Sequence, residues 1–104
     1  MIELVLQWGI FVQLVWDANK SLRCLQNRGF DFAYAARIFD DPLCLTIEDR
    51  RRDYGESRSM TFGHIEERVF VVISTRRDDM IRIISARKAN RREVSWYDQN
   101  RRKD

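Results

Sequence analysis

The spacing of apolar side chains changes in the second half of the chain. From Leu43 onward the period is mainly two, which is typical of half-buried strands. Four strands are predicted there: LCLTIED (43–49), SRSMTF (57–62), RVFVVIST (68–75) and MIRIISAR (80–87). Gly63 and the pair Asp78 and Asp79 are predicted to form turns between neighbouring strands.

The first half of the chain carries one strand signal and one clear helix signal. Residues 10–16 are rich in strand formers. Asp17 follows them as a suitable N-cap, and apolar residues then recur at helical spacing as far as Gly29, which suits a left-handed C-terminal position. A helix is therefore predicted over residues 18–28.

Two further helices are predicted from their end signals. One begins after Asp31, buries a stripe that ends at Phe39, and cannot continue past Pro42. The other begins after Asn90, with Glu93 three residues later as in a capping box. All residues from 99 to 104 are polar, and we expect this tail to fray.

These elements predict an α+β fold in a single domain, residues 1–104. Two N-terminal helices and a C-terminal helix are expected to pack on a four- to five-stranded, mainly antiparallel sheet. With helices on one face, the other face would stay partly open, and a site is expected there.

Charge is concentrated in arginine and in the C-terminal third. Of the 19 Lys and Arg residues, 3 are lysine and 16 are arginine, the cation whose planar fork matches phosphate or carboxylate. From Arg82 to the end there are eight basic and three acidic residues. Such a segment predicts a nucleic-acid phosphate backbone, or an acidic protein, as the partner.

Several classes of site are not indicated. Cys24 and Cys44 lie in unlike contexts, as expected of reduced thiols in a cytoplasmic protein. Neither a metal-ligand spacing nor a glycine-rich phosphate loop occurs, so no cofactor is expected. Glu3, Gln7 and Gln13 interrupt the apolar N-terminal stretch, so neither an export signal nor a membrane span is expected.

A series of short motifs then suggests a family. In chain order they are WD at 16–17 with Lys20, Gly29 with Phe32, FDDP at 39–42, ED at 48–49, DYGE at 53–56 with Arg58, then Arg76, and RIISARKA at 82–89 with Glu93 and Tyr97. From about residue 15 onward the chain resembles the BrnT-type toxins of bacterial type II toxin–antitoxin pairs. Residues 1–13 lie outside the usual pattern.

The resemblance implies a RelE-like fold and a ribonuclease that arrests translation by cleaving RNA. It also implies a BrnA-type antitoxin with a ribbon-helix-helix DNA-binding part, which would be the toxin's only link to DNA. The family pattern has an Asn in the first helix and a Lys-His pair before the glycine, where this chain has Cys24, Asn27 and Arg28. A histidine that would transfer protons in relatives is therefore missing.

RNA cleavage without a metal requires a cation beside the phosphate to neutralise the negative charge of the transition state, and arginine does this well. On strict alternation, Ser85 and Arg87 share one face of the last strand, while Arg82 lies on the other. Arg76 is a third candidate for the group of side chains that binds the phosphate. The predicted catalytic residues are Arg58, Arg76, Arg82, Ser85 and Arg87.

Other cations and one aromatic residue are expected to bind RNA around that centre. They are Lys20, Arg28, Arg50, Arg51, Tyr54, Lys88 and Arg91, with Tyr54 able to stack on a base. The proton acceptor stays open among Glu48, Asp53 and Glu56, each of which could instead pair with an arginine. His64, in a predicted turn, is either a solvated surface residue or a general base.

Two other interpretations remain. The chain could be a binding module that holds RNA without cutting it, because the family histidine is absent. Alternatively, the basic segment could serve the antitoxin alone.

Overall fold

The chain forms a six-stranded sheet with helices packed on it, in a computed structural model that describes residues 2–7, 10–51 and 53–101, with side chains from residue 12. The elements are β1 (Ile2–Gln7), β2 (Ile10–Trp16), α1 (Ala18–Arg28), α2 (Phe32–Ala35), β3 (Leu45–Glu48), β4 (Ser59–Ile65), β5 (Arg68–Arg77), β6 (Met80–Lys88) and α3 (Arg91–Asn100). The strand order is β1-β2-β6-β5-β4-β3.

The α+β class is confirmed, but the sheet is larger than expected and is mixed. β1 and β2 pair in the antiparallel direction. β2 then lies parallel to β6, from Gln13 opposite Met80 to Trp16 opposite Ile83. Alternation indicates that a segment is a strand but not which strand lies beside it, so the sequence could not predict this pairing.

α1 and α2 pack on one side of the sheet, which we call the α1/α2 face. Trp16, Phe70 and Ile83 from three strands form a buried cluster there with Cys24 of α1 and Phe32 of α2. Apolar burial of this kind is the main force that holds helices on a sheet.

α3 packs on the other side, which we call the α3 face. Val71 and Val72 are neighbours in β5 and point to opposite faces, and Val71 belongs to a second buried cluster with Phe62 and Tyr97. The expectation that all helices share one face is therefore wrong. The continuous apolar run at 69–73 could have indicated that both faces of the sheet are covered, because a strand buried on both faces need not alternate.

The ends of α1 are those that the sequence predicted. The Asp17 side chain accepts hydrogen bonds from the backbone N–H groups of Asn19 and Lys20 at 2.8 and 3.1 Å. Gly29 has a φ of 86° and donates its N–H to the carbonyl of Leu25. Each end of the helix thus has some of its otherwise unpaired backbone groups satisfied.

The second helix lies where it was predicted but changes type. Asp31 caps α2 through the N–H of Tyr34, and a 3₁₀ helix, Ala36–Asp40, continues from it. The buried stripe is retained, because Ala35 and Phe39 are both in the core.

The predicted turn at Gly63 is wrong. β4 runs through it to Ile65, and the chain reverses at Glu66, whose φ is 57°. His64 therefore lies in a strand. A Cβ at Gly63 would lie 2.9 Å from Cβ of Ile38, so the glycine is required by close packing of the 3₁₀ segment on β4.

We expect Gly63→Ala to lower the free energy of unfolding by about 1–3 kcal/mol, because the new methyl group overpacks the contact with Ile38. Urea unfolding followed by circular dichroism would measure the change. Glu67→Ala, in the exposed turn that follows, is the matched control and should be nearly neutral. Equal stability of the two variants would contradict the packing role of Gly63.

α3 begins with the predicted capping box, since Asn90 and Glu93 each accept the backbone N–H of the other. The helix continues to Asn100, so residues 99 and 100 are helical, while residues 102–104 lie outside the described part and the fraying of the tail stays a prediction. Within the described residues, no helix is long and apolar enough to cross a membrane.

Candidate functional site

An irregularity in β6 decides which of its side chains share a face. Ile73 of β5 pairs with Ser85, and the next residue, Ser74, pairs with Ile83. Ile84 is therefore an extra residue in β6, which makes a β-bulge. Beyond it, the alternation of faces is shifted by one residue.

The bulge brings Arg82 and Arg87 to the same face. Arg82 pairs with Thr75 and Arg87 pairs with Val71, and directly paired residues of neighbouring strands share a face. Val71 packs against the α3 side with Tyr97, so both arginines belong to the α3 face. The prediction that Arg82 lies on the other face from Arg87 is wrong, because strict alternation cannot anticipate a bulge.

Arg87 is held by the first turn of α3. Its Nη1 and Nη2 donate to Oε1 and Oε2 of Glu93 at 2.7 and 2.8 Å. Glu93 Oε1 also accepts the N–H of Asn90 at 2.9 Å as part of the capping box. The side chains of Arg87 and Glu93 are 28% and 18% exposed, so the pair is partly desolvated and has a defined geometry.

A second group of side chains meets at Asp49, just after β3. Arg51 binds the Asp49 carboxylate through Nε at 2.8 Å and Nη2 at 2.9 Å, and the hydroxyl of Tyr54 donates to the same carboxylate at 3.3 Å. The guanidinium carbon of Arg58 lies 4.0 Å from the centre of the Tyr54 ring, in a cation–π contact. Arg58 also pairs with Glu56 through Nε and Nη2.

The two groups are electrostatically connected through Arg51. Hydrogen bonds to Glu93 raise the pKa of Arg87, and the positive charge of Arg51 opposes part of that rise. The pKa of Glu93 is lowered, first by hydrogen bonds from Arg87 and further by the charge of Arg51. We call Arg51, Tyr54, Arg58 and Arg87 the arginine cluster.

Asp49 organises one end of the arginine cluster. Its side chain is fully buried, and hydrogen bonds from Arg51 hold its pKa at about 2 although burial opposes ionisation. A carboxylate this weakly basic is a poor proton acceptor, so Asp49 acts as a support for Arg51 and Tyr54.

Three predicted catalytic residues lie apart from this cluster. Arg76 pairs with Ile81 and so belongs to the α1/α2 face, where its Nε lies 3.4 Å from the carbonyl of Asp78. Arg82 and Ser85 are on β6 with Arg87, and both are exposed. No ion pair joins Arg82 to Glu48 or Asp53 within the described residues, and Glu48 binds Arg50 instead.

A second group of cations lies where α1 packs beside β6. Lys20, Arg28 and Ser85 line one small groove of about 190 Å³. Arg28 also lines a larger groove of about 490 Å³ with Lys88, at the C-terminal end of α1. Arg91, at the start of α3, lies in a separate depression beside Arg68.

The sequence did not predict a cluster around Asp41. Its Oδ2 accepts the backbone N–H of His64 at 2.8 Å and the hydroxyl of Tyr97 at 2.5 Å. Nδ1 of His64 lies 3.9 Å from Asp41 and 3.3 Å from Nη1 of Arg101. The expectation of a solvated turn histidine is therefore wrong, because His64 is half-buried beside the Tyr97 ring.

Burial and hydrogen bonding shift the pKa values of this cluster. Burial would raise the pKa of Asp41, but hydrogen bonds from His64, Tyr97 and Leu43 outweigh it and lower that pKa. Burial, and then the bond to Asp41, raises the pKa of Tyr97, which stays protonated near neutrality. The bond from Tyr97 to Asp41 thus ties α3 to the segment before β3.

Glu93 and Asp49 are the carboxylate partners of the arginine cluster that the sequence did not predict. The capping box did identify Glu93, but only as a helix terminus. Asp49 stands two residues before Arg51 at the end of a strand, and that spacing was the available signal. In the described part of the chain, no three His, Cys, Asp or Glu side chains gather into a possible metal site.

Comparison with known proteins assigns the family. Residues 16–93, which are 78 of the 104 residues, match the family of the ribonuclease toxin BrnT of type II toxin–antitoxin systems. The matched range contains the whole arginine cluster together with Asp49 and Glu93. No curated protein matches the sequence. The chain belongs to the BrnT family of ribonuclease toxins of type II toxin–antitoxin systems, with RNA as target and an antitoxin as partner.

Proposed function

We propose that the arginine cluster binds the scissile phosphate of RNA and that cleavage needs no metal ion. The observation that carries the proposal is the continuous series from Arg58 through Tyr54, Asp49 and Arg51 to Arg87 on the α3 face. Guanidinium groups fixed in advance can neutralise a phosphorane-like transition state without reorganising.

The carboxylate partners fix the positions of the arginines. Each guanidinium of the cluster has one, namely Asp49 for Arg51, Glu56 for Arg58 and Glu93 for Arg87. Such pairs restrict the long side chains, so less entropy is lost when a phosphate binds. Arg87 is central to the proposal because it joins the sheet to α3.

The remaining cations extend the proposed RNA path. Tyr54 would stack on a neighbouring base, while Arg50, beside Glu48, and Arg91, at the start of α3, would bind neighbouring phosphates. Lys20, Arg28 and Lys88 on the other side of β6 would bind phosphates further along the strand. Arg82 and Ser85, both exposed on β6, would contact the RNA backbone near Arg87, and Arg76 would contact RNA only from the α1/α2 face.

The cellular role follows from this chemistry. RNA cleavage in the cytoplasm would arrest translation, and a ribbon-helix-helix antitoxin of the BrnA type would cover the α3 face and connect the toxin to operator DNA. We also propose that residues 1–104 form one domain with a RelE-like fold.

Cleavage by the purified chain in excess EDTA tests the proposal. We expect RNA fragments with 2′,3′-cyclic phosphate and 5′-hydroxyl ends, because the neighbouring 2′-oxygen is the nucleophile in a metal-free reaction. RNA that stays intact at a large excess of protein would contradict it. Addition of Mg²⁺ should not be needed for activity.

A non-catalytic RNA-binding module is the second candidate. It is favoured by the carboxylate on each cluster arginine, and by Arg28 at the position of the family histidine. That protein would bind RNA with an affinity that falls steeply with salt, and would leave it uncut.

A further inference from the structure

The three arginines of the cluster bind their carboxylates through different edges. Arg51 and Arg58 each use Nε and Nη2, so the side edge of both guanidinium groups is occupied. Arg87 uses Nη1 and Nη2, the end edge, on Glu93. Within the described residues, the Nε–H of Arg87 and the second Nη2–H have no acceptor. Arg87 therefore keeps a two-donor side edge of the kind that binds phosphate bidentately.

The oxygens of Glu93 are also unequally used. Oε1 accepts two hydrogen bonds, from Nη1 of Arg87 and from the N–H of Asn90. Oε2 accepts one, from Nη2 of Arg87. A carboxylate oxygen can accept two, so among the described contacts Oε2 has a spare position. This oxygen lies on the Nη2 side, next to the unoccupied edge of Arg87.

We propose that Glu93 is the proton acceptor for RNA cleavage and that it acts through Oε2. The inference rests on the proposed function. A phosphate bound at the side edge of Arg87 would have the 2′-hydroxyl of the preceding ribose near Glu93, within the reach that general base catalysis requires.

The other carboxylates of the cluster are less suitable. Both oxygens of Asp49 are filled by Arg51 and Tyr54, and its side chain has no exposed surface. Glu56 lies beside an arginine whose side edge is already occupied, and is 44% exposed. Glu93 alone combines limited exposure, a spare acceptor position and a neighbouring phosphate-binding edge.

The step balances without a co-reactant other than water. Oε2 of Glu93 takes the 2′-hydroxyl proton while the 2′-oxygen forms a bond to phosphorus. The bond from phosphorus to the 5′-oxygen breaks, its electron pair stays on that oxygen, and the oxygen takes a proton from water. Glu93 then releases its proton to solvent.

The surroundings keep Glu93 ionised at neutral pH. Hydrogen bonds from Arg87 lower its pKa, burial opposes this, and the N–H of Asn90 and the charge of Arg51 add to the lowering. The groups that face it are thus Arg87 of β6, Arg51 of the loop after β3, and its own helix start. Glu93 is therefore ionised, and able to accept a proton, at all pH values above the ordinary pKa of a glutamate.

The test is Glu93→Gln, which retains an oxygen for Asn90 and Arg87 but cannot take a proton. We expect single-turnover cleavage to fall about 10²–10⁴-fold, while binding of an RNA whose 2′-hydroxyls are replaced by hydrogen changes little. Glu67→Gln, at an exposed turn position, is the matched control and should cleave normally.

The pH dependence separates proton transfer from a structural effect. Wild-type cleavage should be nearly flat between about pH 6 and 8, whereas the residual rate of Glu93→Gln should rise roughly tenfold per pH unit, because hydroxide replaces the missing base. Glu93→Asp, which keeps the carboxylate, should recover part of the rate and the flat profile.

Three outcomes would overturn the inference. Glu93→Gln could cleave at the wild-type rate, or its slow rate could be independent of pH, or it could lose RNA binding together with cleavage. The first two leave the proposed phosphate site intact. A wild-type chain that cuts no RNA would instead remove the proposed function and the inference together.

Discussion

Arg87→Ala is expected to lower the rate of RNA cleavage by about 10²–10³-fold, the usual cost of removing one preorganised donor to a developing oxyanion. Arg87→Lys should recover little, because an ammonium group cannot present two parallel N–H donors to a phosphate while it also holds Glu93. Single-turnover cleavage by purified variants measures both effects. Growth arrest on induced expression should be lost in parallel.

Arg77→Ala is the matched control, because Arg77 is an exposed arginine at the end of β5 and outside the arginine cluster. It should cleave RNA and arrest growth as the wild type does. Arg87→Ala also leaves Glu93 without its partner, so unfolding by urea must be compared between the two variants. Full activity in a folded Arg87→Ala protein would exclude the arginine cluster as the phosphate site.

The local parts of the fold could be predicted because their causes are local. Asp17 and Gly29 limit α1 through bonds to residues two to four positions away, and Asn90 limits α3 through a bond to a residue three positions away. The role of Gly63 could not be predicted from its sequence neighbours. A glycine is required there because Ile38, which is distant in sequence, packs against that position. The sequence alone therefore predicted a turn.

The residues of the candidate site were named from the sequence, but their arrangement was not. Arg51, Tyr54, Arg58 and Arg87 were all candidates, and the structure brings them together. Their carboxylate partners were not predicted. The pairing of Glu93 with Arg87 depends on where the start of α3 lies in space, and the two-residue spacing of Asp49 and Arg51 was the local signal for the other pair. The bulge at Ile84 is likewise a property of strand pairing, and it changes the face of Arg82.

The position of Glu93 depends on the attachment of α3, and one turn further along that helix lies Tyr97. Its ring is fully buried against Phe62 and Val71, and its hydroxyl donates to Asp41. The position of the carboxylate that faces Arg87 therefore depends partly on the burial of an aromatic side chain one turn further along the same helix.

Tyr97→Ala should lower the free energy of unfolding by about 3–5 kcal/mol, since it removes a buried aromatic ring and leaves a cavity. Tyr97→Phe keeps the ring and removes only the hydroxyl bond to Asp41, so it should cost about 1–2 kcal/mol. Urea unfolding gives both values. Tyr34→Phe is the matched control, because the Tyr34 hydroxyl bonds to Glu66 at the surface.

Cleavage should respond in the same order as stability if Tyr97 positions Glu93. Tyr97→Phe, under conditions where it is fully folded, should keep the flat pH profile of the wild type with a reduced rate, because the proton acceptor is present but less well held. If Tyr97→Phe were no less stable than Tyr34→Phe, the bond to Asp41 would contribute nothing to the attachment of α3. The alignment of Glu93 with Arg87 would then depend on the capping box and the apolar contacts of the helix alone.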